Sequence, residues 1–246
     1  TGPQTLSVYW IIVFFSLVLI YINSVFLFAY FELSQKPRPQ IRKWPTVSVL
    51  IPNYNGERTL VKCLESIAAL EYPLAKEIIV IDDGSKDSSR KILGKIKGIR
   101  AIFKIKNAGK AAALNDGLRA AKGEIVASVD SDTFPAKDAL LKMVPYFNEG
   151  SVGAVTGLVR ASNANGFVEK LQEIEYLVAF GFFQSVLSEI NGVFVTPGPM
   201  SLFRLDALKK IGGYDEANIT EDMEIALRLQ KHRYKIVACP TAQIFT

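Results

Sequence analysis

Glu124-Ile-Val-Ala-Ser-Val-Asp-Ser-Asp-Thr133 is the stretch from which the rest of the chain is read. Ile125–Val129 is a short, almost unbroken apolar run, too short for a helix. A run of that kind is a strand covered on both faces, as in parallel sheets. It stops at Asp130 and Asp132, two carboxylates two residues apart. Ligands of open α/β sheets bind beyond the carboxyl ends of the strands. Acids at such an end are therefore candidates for chemistry, whereas acids on other loops are solvated tips.

Upstream the same alternation repeats. Val47–Ile51 reads as a strand and Glu57–Leu70 as a helix; Glu77–Ile81 and Asp87–Lys97 follow, then Arg100–Ile105 and Gly109–Ala121. Downstream, a helix is predicted over Ala136–Phe147 and a strand over Val152–Val159. Repeated β-α pairs predict an α/β fold, a Rossmann-like, mostly parallel sheet flanked by helices. Phe167–Glu189 is predicted as one long helix, and its broad apolar surface leaves core and membrane-interface placements both open. Phe194–Phe203 reads as a strand pair around Pro197, Gly198 and Pro199. A helix from Asp206 breaks at Gly212-Gly213, and Thr220 reads as the N-cap of a helix over Glu221–Lys231. Lys235–Ala238 reads as the last strand.

The N-terminus differs from all of this. Val8–Phe31 carries no charged residue, and Ser16 and Asn23 are among its few polar members. A helix needs about 20 apolar residues to cross the hydrocarbon core. Residues 1–34 are therefore expected to form a single transmembrane anchor. Lys36, Arg38, Arg42 and Lys43 follow it, in a stretch with three prolines. Residues 35–45 read as a stiff basic linker against anionic lipid headgroups. Positive flanks stay on the cytoplasmic side, so the rest of the chain is expected in the cytoplasm.

Composition closes several routes. One histidine, His232, and two cysteines, Cys63 and Cys239, leave no Cys/His zinc site, so a metal must take oxygen ligands. The net charge of +5 is spread out and no basic–aromatic motif accompanies it, so nucleic acid is not expected as a partner. No G-x-G-x-x-G occurs, which removes support for a dinucleotide dehydrogenase.

Three acidic clusters fall on the predicted strand-end side: Asp82-Asp83, Asp130-Ser-Asp132 and Glu221-Asp222. Converging carboxylates repel unless a cation or donor joins them. The pair Asp130 and Asp132 suits a hard divalent cation, which takes one or two carboxylates plus phosphate oxygens. Lys110 opens a predicted helix in Asn107-Ala-Gly-Lys110, where free N–H groups and positive charge favour an anion. Ala111 stands where a P-loop needs Ser or Thr. Thr220-Glu-Asp222 reads either as capping or as a base, Asp222, taking a proton from an acceptor hydroxyl.

Five segments then carry a resemblance. They are Val47-Ser-Val-Leu-Ile-Pro-Asn-Tyr-Asn-Gly56, Ile81-Asp-Asp-Gly-Ser85, Asn107-Ala-Gly-Lys-Ala-Ala-Ala-Leu-Asn-Asp-Gly117, Val129-Asp-Ser-Asp132 and Thr220-Glu-Asp222. In this order they resemble glycosyltransferase family 2, with the GT-A fold, from Thr46 to the C-terminus. The resemblance implies an inverting, metal-dependent transfer from a nucleotide-sugar, a UDP-sugar above all, to a saccharide hydroxyl. It implies that Pro52, Tyr54 and Asp83 hold the nucleoside, that Lys110 touches the nucleotide and that Asp130 lies near the ribose or donor sugar. Asp132 would bind Mg²⁺ or Mn²⁺ on the diphosphate, and Asp222 would be the base. Glu57 holds the family's acidic position after the first strand, displaced one place by Gly56. The span, Gly198-Pro-Met-Ser-Leu-Phe-Arg204 and Thr-Glu-Asp together look like the membrane polysaccharide synthases of the hyaluronan, chitin, cellulose and poly-N-acetylglucosamine type. Those continue into a Gln-x-x-Arg-Trp motif that this sequence lacks, so residues 46–246 are expected to be a C-terminally truncated catalytic domain. Two other readings stay open: transfer to a polyprenyl phosphate, giving a lipid-linked acceptor, and a catalytically silent nucleotide-binding membrane subunit.

Overall fold

The computed structural model describes residues 3–34, 39–41, 43–162, 166–218 and 220–246; Lys36, Arg38 and Arg42 of the expected linker lie outside them. The chain divides into two compact units, Thr1–Pro37 and Arg38–Thr246.

The first unit is the helix α1 (Pro3–Ser34). Within it Ser7–Glu32, 26 residues that contain an 18-residue window of mean hydropathy 2.6, is long and apolar enough to cross a membrane. Asn23 Nδ2 and Ser24 Oγ donate to the carbonyls of Leu19 and Ile20, at 2.7 and 2.8 Å. Both polar side chains thus turn a donor back onto the helix itself, as an apolar solvent favours.

In the second unit the strands are β1 (Val47–Asn53), β2 (Lys76–Asp82), β3 (Arg100–Phe103), β4 (Ile125–Val129), β5 (Phe134–Pro135), β6 (Val152–Arg160), β7 (Met200–Arg204) and β8 (Lys235–Phe245). They form one eight-stranded sheet in the order β3-β2-β1-β4-β7-β6-β8-β5. Strands β3 to β4 in that order run parallel. β7 then pairs antiparallel with both β4 and β6, and β8 returns parallel to β6. The sheet is mixed, with its parallel half where the β-α alternation predicts it.

Among the described residues eight α-helices accompany these strands: α2 (Leu60–Ala68), α3 (Ser89–Leu93), α4 (Lys110–Ala120), α5 (Ala139–Met143), α6 (Phe167–Tyr176), α7 (Gln184–Glu189), α8 (Leu205–Lys210) and α9 (Glu221–Lys231). Successive strand residues face opposite sides, and β1 is buried throughout. Val49 and Ile51 join a core that α2 covers with Leu60, Cys63 and Ile67. Leu50 joins the opposite core, which α4 covers with Ala113 and Leu114. Each such fully buried Leu or Ile stabilises by about 1.5–3 kcal/mol. Gly117 allows α4 its close approach, since a Cβ there would meet Ile81 Cδ1 at 2.8 Å and Leu50 Cδ1 at 3.1 Å.

Several elements differ from the sequence expectation. The helix expected over Ala136–Phe147 is α5 followed by a 3₁₀ turn, Val144–Asn148, in which Pro145 supplies no N–H for an α-helical bond. The helix expected over Asp87–Lys97 is only Ser89–Leu93. The long aromatic helix runs as α6, a π-helical segment Leu177–Phe183, and α7. No α6 residue is buried, so the core placement fails for that part. Phe194–Phe203 yields only one strand, β7, because Pro197 and Pro199 offer no ladder donors. The last strand continues past Ala238 to Phe245 through an irregular step opposite Gly157 and Leu158. Thr220 precedes α9 but makes no side-chain cap; its hydroxyl donates to Asn218 Oδ1 at 3.0 Å.

Candidate active site

β1 is the switch point of the sheet: the chain steps outward to β2 and β3, then returns on the other side as β4. The carboxyl ends of β1, β2 and β4 therefore share one edge, where a crevice opens. A cleft of about 340 Å³ lies there, lined by Pro52, Tyr54, Asp83, Lys110, Asp130 and Asp132 among others. An outer chamber of about 740 Å³ adjoins it through Tyr54 and Asp132 and is also lined by Glu57, Arg58 and Lys86.

Asp83 is buried, and its oxygens are engaged from within the protein. Oδ2 accepts from the N–H groups of Gly109 at 2.8 Å and Ala108 at 3.1 Å, and Oδ1 pairs with Lys104 at 2.8 Å. The amides that precede α4 thus meet an internal anion, where the sequence suggested free donors for a phosphate. A carboxylate has about four lone-pair sites, so Asp83 keeps capacity toward the cleft. Gly84 makes this approach possible: at φ 76° a Cβ would stand 2.6 Å from Asn107 N. Asp82, by contrast, is structural. It accepts from Arg90 Nε at 2.7 Å, Ser85 N at 3.2 Å and Asn53 Nδ2 at 3.3 Å.

Lys110 carries the positive charge that the α4 amides do not offer. Its Nζ lies 2.7 Å from Asp130 Oδ1 and 3.2 Å from Glu221 Oε1. Burial opposes its charge, but Asp130 and Glu221 outweigh burial and hold its pKa above the ordinary lysine value. Burial pushes the Asp130 carboxyl upward against the pull of Lys110, and Asp132 and Glu221 add to the rise. Asp132 has no hydrogen-bond or salt-bridge partner among the described residues. Among those residues no three His, Cys, Asp or Glu side chains form a ready-made metal cage. Asp132 supplies free, exposed oxygen donors, which fits a hard divalent cation that completes its shell with phosphate and water.

Asp222 lies at the start of α9. It lines a small cavity on the far side of Lys110, of about 10 Å³, together with Glu221, Thr196 and Gly198. Its carbonyl accepts from Thr196 N and Oγ1 at 3.0 and 2.9 Å, and its carboxylate accepts from Met223 N at 2.8 Å. No salt bridge engages it among the described residues. Glu57 accepts from Ser88 N at 2.8 Å through its side chain and donates its own N–H to Asp87 Oδ2 at 3.0 Å. Asn55 likewise accepts from Lys86 N at 2.9 Å, so the loops after β1 and β2 clasp each other beneath Tyr54.

Residues 48–212 match the family model for glycosyl transferase family 2. The chain belongs to that family. Over 251 residues it is 32% identical to the poly-β-1,6-N-acetyl-D-glucosamine synthase of Staphylococcus epidermidis, covering 98% of this chain and 58% of that protein. It is 31% identical over 248 residues to the synthase of the same name from Staphylococcus aureus strain COL, with the same coverage. The chain thus spans little more than half the length of these relatives. Among solved structures, the mannosyltransferase PcManGT from Pyrobaculum calidifontis, in complex with GDP-Man and Mn²⁺, superposes with TM-score 0.74 at 23% identity, covering 92% of this chain and 67% of that one. Staphylococcus aureus TarS 1-349, in complex with UDP-GlcNAc, gives 0.65 at 22% identity, covering 82% and 58%. The second unit therefore has the GT-A fold.

In this family-2 domain, two participants escaped the sequence reading. Lys104 pairs with Asp83, and Glu221 pairs with Lys110. Glu221 had a visible signal, its place beside Asp222 in a cluster of acids; Lys104 had none beyond its place after β3.

Proposed function

We propose that this domain transfers a sugar, with inversion, from a nucleoside diphosphate sugar to a saccharide hydroxyl at the cytoplasmic face of a membrane. One observation carries the reading. Asp83, Lys110, Asp130 and Asp132 line a single cleft at the strand ends, and Asp222 lines the cavity directly behind Lys110. The name shared by the staphylococcal relatives makes UDP-N-acetylglucosamine the donor to try first.

In this reading Pro52 and the half-exposed ring of Tyr54 flank the nucleoside, and Asp83 accepts from its base. Lys110 contributes positive charge to the diphosphate, and Asp130 lies toward the ribose and donor sugar. Glu57 borders the outer chamber and supports the nucleotide through the loop clasp. Asp132 would hold Mg²⁺ or Mn²⁺, which when bound neutralises charge on the diphosphate leaving group. Asp222 removes the proton from the acceptor hydroxyl as its oxygen attacks the anomeric carbon. Its freedom from a cation partner supports that role, since an ion-paired carboxylate is a poorer base.

The span in α1 and the bases that follow it in sequence support membrane anchoring with the domain on the cytoplasmic side. The exposed Phe167, Val168, Leu171 and Ile174 of α6 support contact with lipid. Calorimetry with UDP, with and without Mn²⁺, tests the donor site. Tighter binding with the metal is expected, and binding indifferent to it would remove the metal role.

A further inference from the structure

Three segments of the fold meet at Lys110. Asp130 comes from the end of β4, Glu221 from the first turn of α9, and Gly198 from the loop before β7. A Cβ at Gly198 would stand 2.9 Å from Lys110 Nζ and 3.0 Å from Asp130 Oδ2. A side chain on this loop would therefore press on the ion pair and displace it. Lys110 itself lines two spaces, the 340 Å³ cleft and the small cavity that Asp222 also lines.

The first turn of α9 has few other ties. Thr220 gives it no side-chain cap. Thr196 N and Oγ1 hold the Asp222 carbonyl, an uncharged backbone tie to the loop before β7. The next side-chain tie, Glu224 to Arg228 at 2.6 Å, lies within α9, although Arg228 in turn reaches the carbonyls of Ile211 and Gly213. Glu221 is thus the charged link from the base-bearing turn to the donor cleft, and its side chain is mostly shielded, at 19% exposure.

We infer that Glu221 is a positioning residue: acting through Lys110, it locks the first turn of α9, and with it the Asp222 carboxylate, against the donor cleft. The inference rests on the transfer reading. A charge-assisted hydrogen bond of this kind is worth enough to hold one helical turn, though partial exposure lowers its strength.

The test uses Glu221→Gln, which keeps the shape and removes the charge, in the full chain. Transfer kcat is expected to fall about tenfold while donor KM and UDP affinity stay within about twofold. Hydrogen exchange at the amides of Met223, Glu224 and Ile225 is expected to quicken by a similar factor. Gly198→Ala, which pushes a methyl group onto the ion pair, should act in the same direction. In a Lys110→Met background, Glu221→Gln should add no further change in exchange. Unchanged exchange in α9, an equal effect in both backgrounds, or a loss of UDP affinity in step with kcat would each overturn the inference. A wild-type protein that binds no UDP would sink the transfer reading instead, and the exchange measurements would still judge the tie.

Discussion

Asp83 and Asp132 are both carboxylates at strand ends, but their surroundings divide the work between them. Asp83 is enclosed by Lys104 and two amide donors, so it shapes the turn into α4 as well as the cleft wall. Asp132 is exposed and unpaired among the described residues, which leaves both oxygens for a ligand. Asp132→Ala is accordingly expected to abolish the Mn²⁺ enhancement of UDP binding while the metal-free affinity stays close to wild type, by calorimetry. Asp222→Asn is expected to keep UDP affinity and to lower transfer by about 10²–10⁴-fold, the usual range for a general base. Steady-state assay of labelled sugar transfer would settle this, and retained turnover would exclude Asp222 as the base. Asp83, Asp130 and Asp132 were legible because strand ends can be read from apolar runs, and Asp222 because Thr220-Glu-Asp opens a helix. The partners of Asp83 and Lys110 were not, because Lys104 and Glu221 reach them through space.

At the scale of elements, the clasp between the loops after β1 and β2 has a pH signature. Burial works against the charge of Asp87, but hydrogen bonds from Ser89 and from the Glu57 N–H outweigh it and hold the carboxyl below its ordinary value of 3.8. A depressed folded pKa means stability that is fully present above 3.8 and is lost as pH falls through the lower folded value. The difference in urea midpoint between wild type and Asp87→Ala should therefore be flat from neutral pH down toward 4 and shrink only below it. A difference that already declines between pH 7 and 5 would assign the effect to another group. The helix pattern foretold α2 and α4, whose apolar faces are long and regular. It overran α3 and α5, because Gly94 and Pro145 cut the helical ladder within runs whose apolar spacing continues.

Across the whole molecule, the site depends on β1 lying between two cores. Ile67, fully buried on α2, and Leu114, fully buried on α4, belong to the cores on opposite faces of the same sheet. Ile67→Ala or Leu114→Ala should each cost about 2–5 kcal/mol of unfolding free energy, measured by urea denaturation. Because they lie on opposite sides of the sheet, the double variant should be close to additive. For the chain in a membrane, carbonate washing should leave the protein in the pellet, held by α1. Recovery in the supernatant would argue against a span and leave α6 as the lipid contact.

The amino-acid order alone settled the β-α alternation, the apolar helix at the N-terminus, and the strand ends on which the acids sit. Each of these follows from local periodicity, which reports how a short segment meets water. It also carried the family likeness, since five short motifs in order survive without coordinates. The pairing of Glu221 with Lys110, the capture of the α4 amides by Asp83, the continuation of β8 past Pro240 and the lack of a Thr220 side-chain cap on α9 were decided by tertiary structure. Those features turn on which side chains meet after the sheet has twisted and the helices have packed. Electrostatic and hydrogen-bond partners are chosen by distance in space, and residues far apart in the chain carry no local mark of that distance.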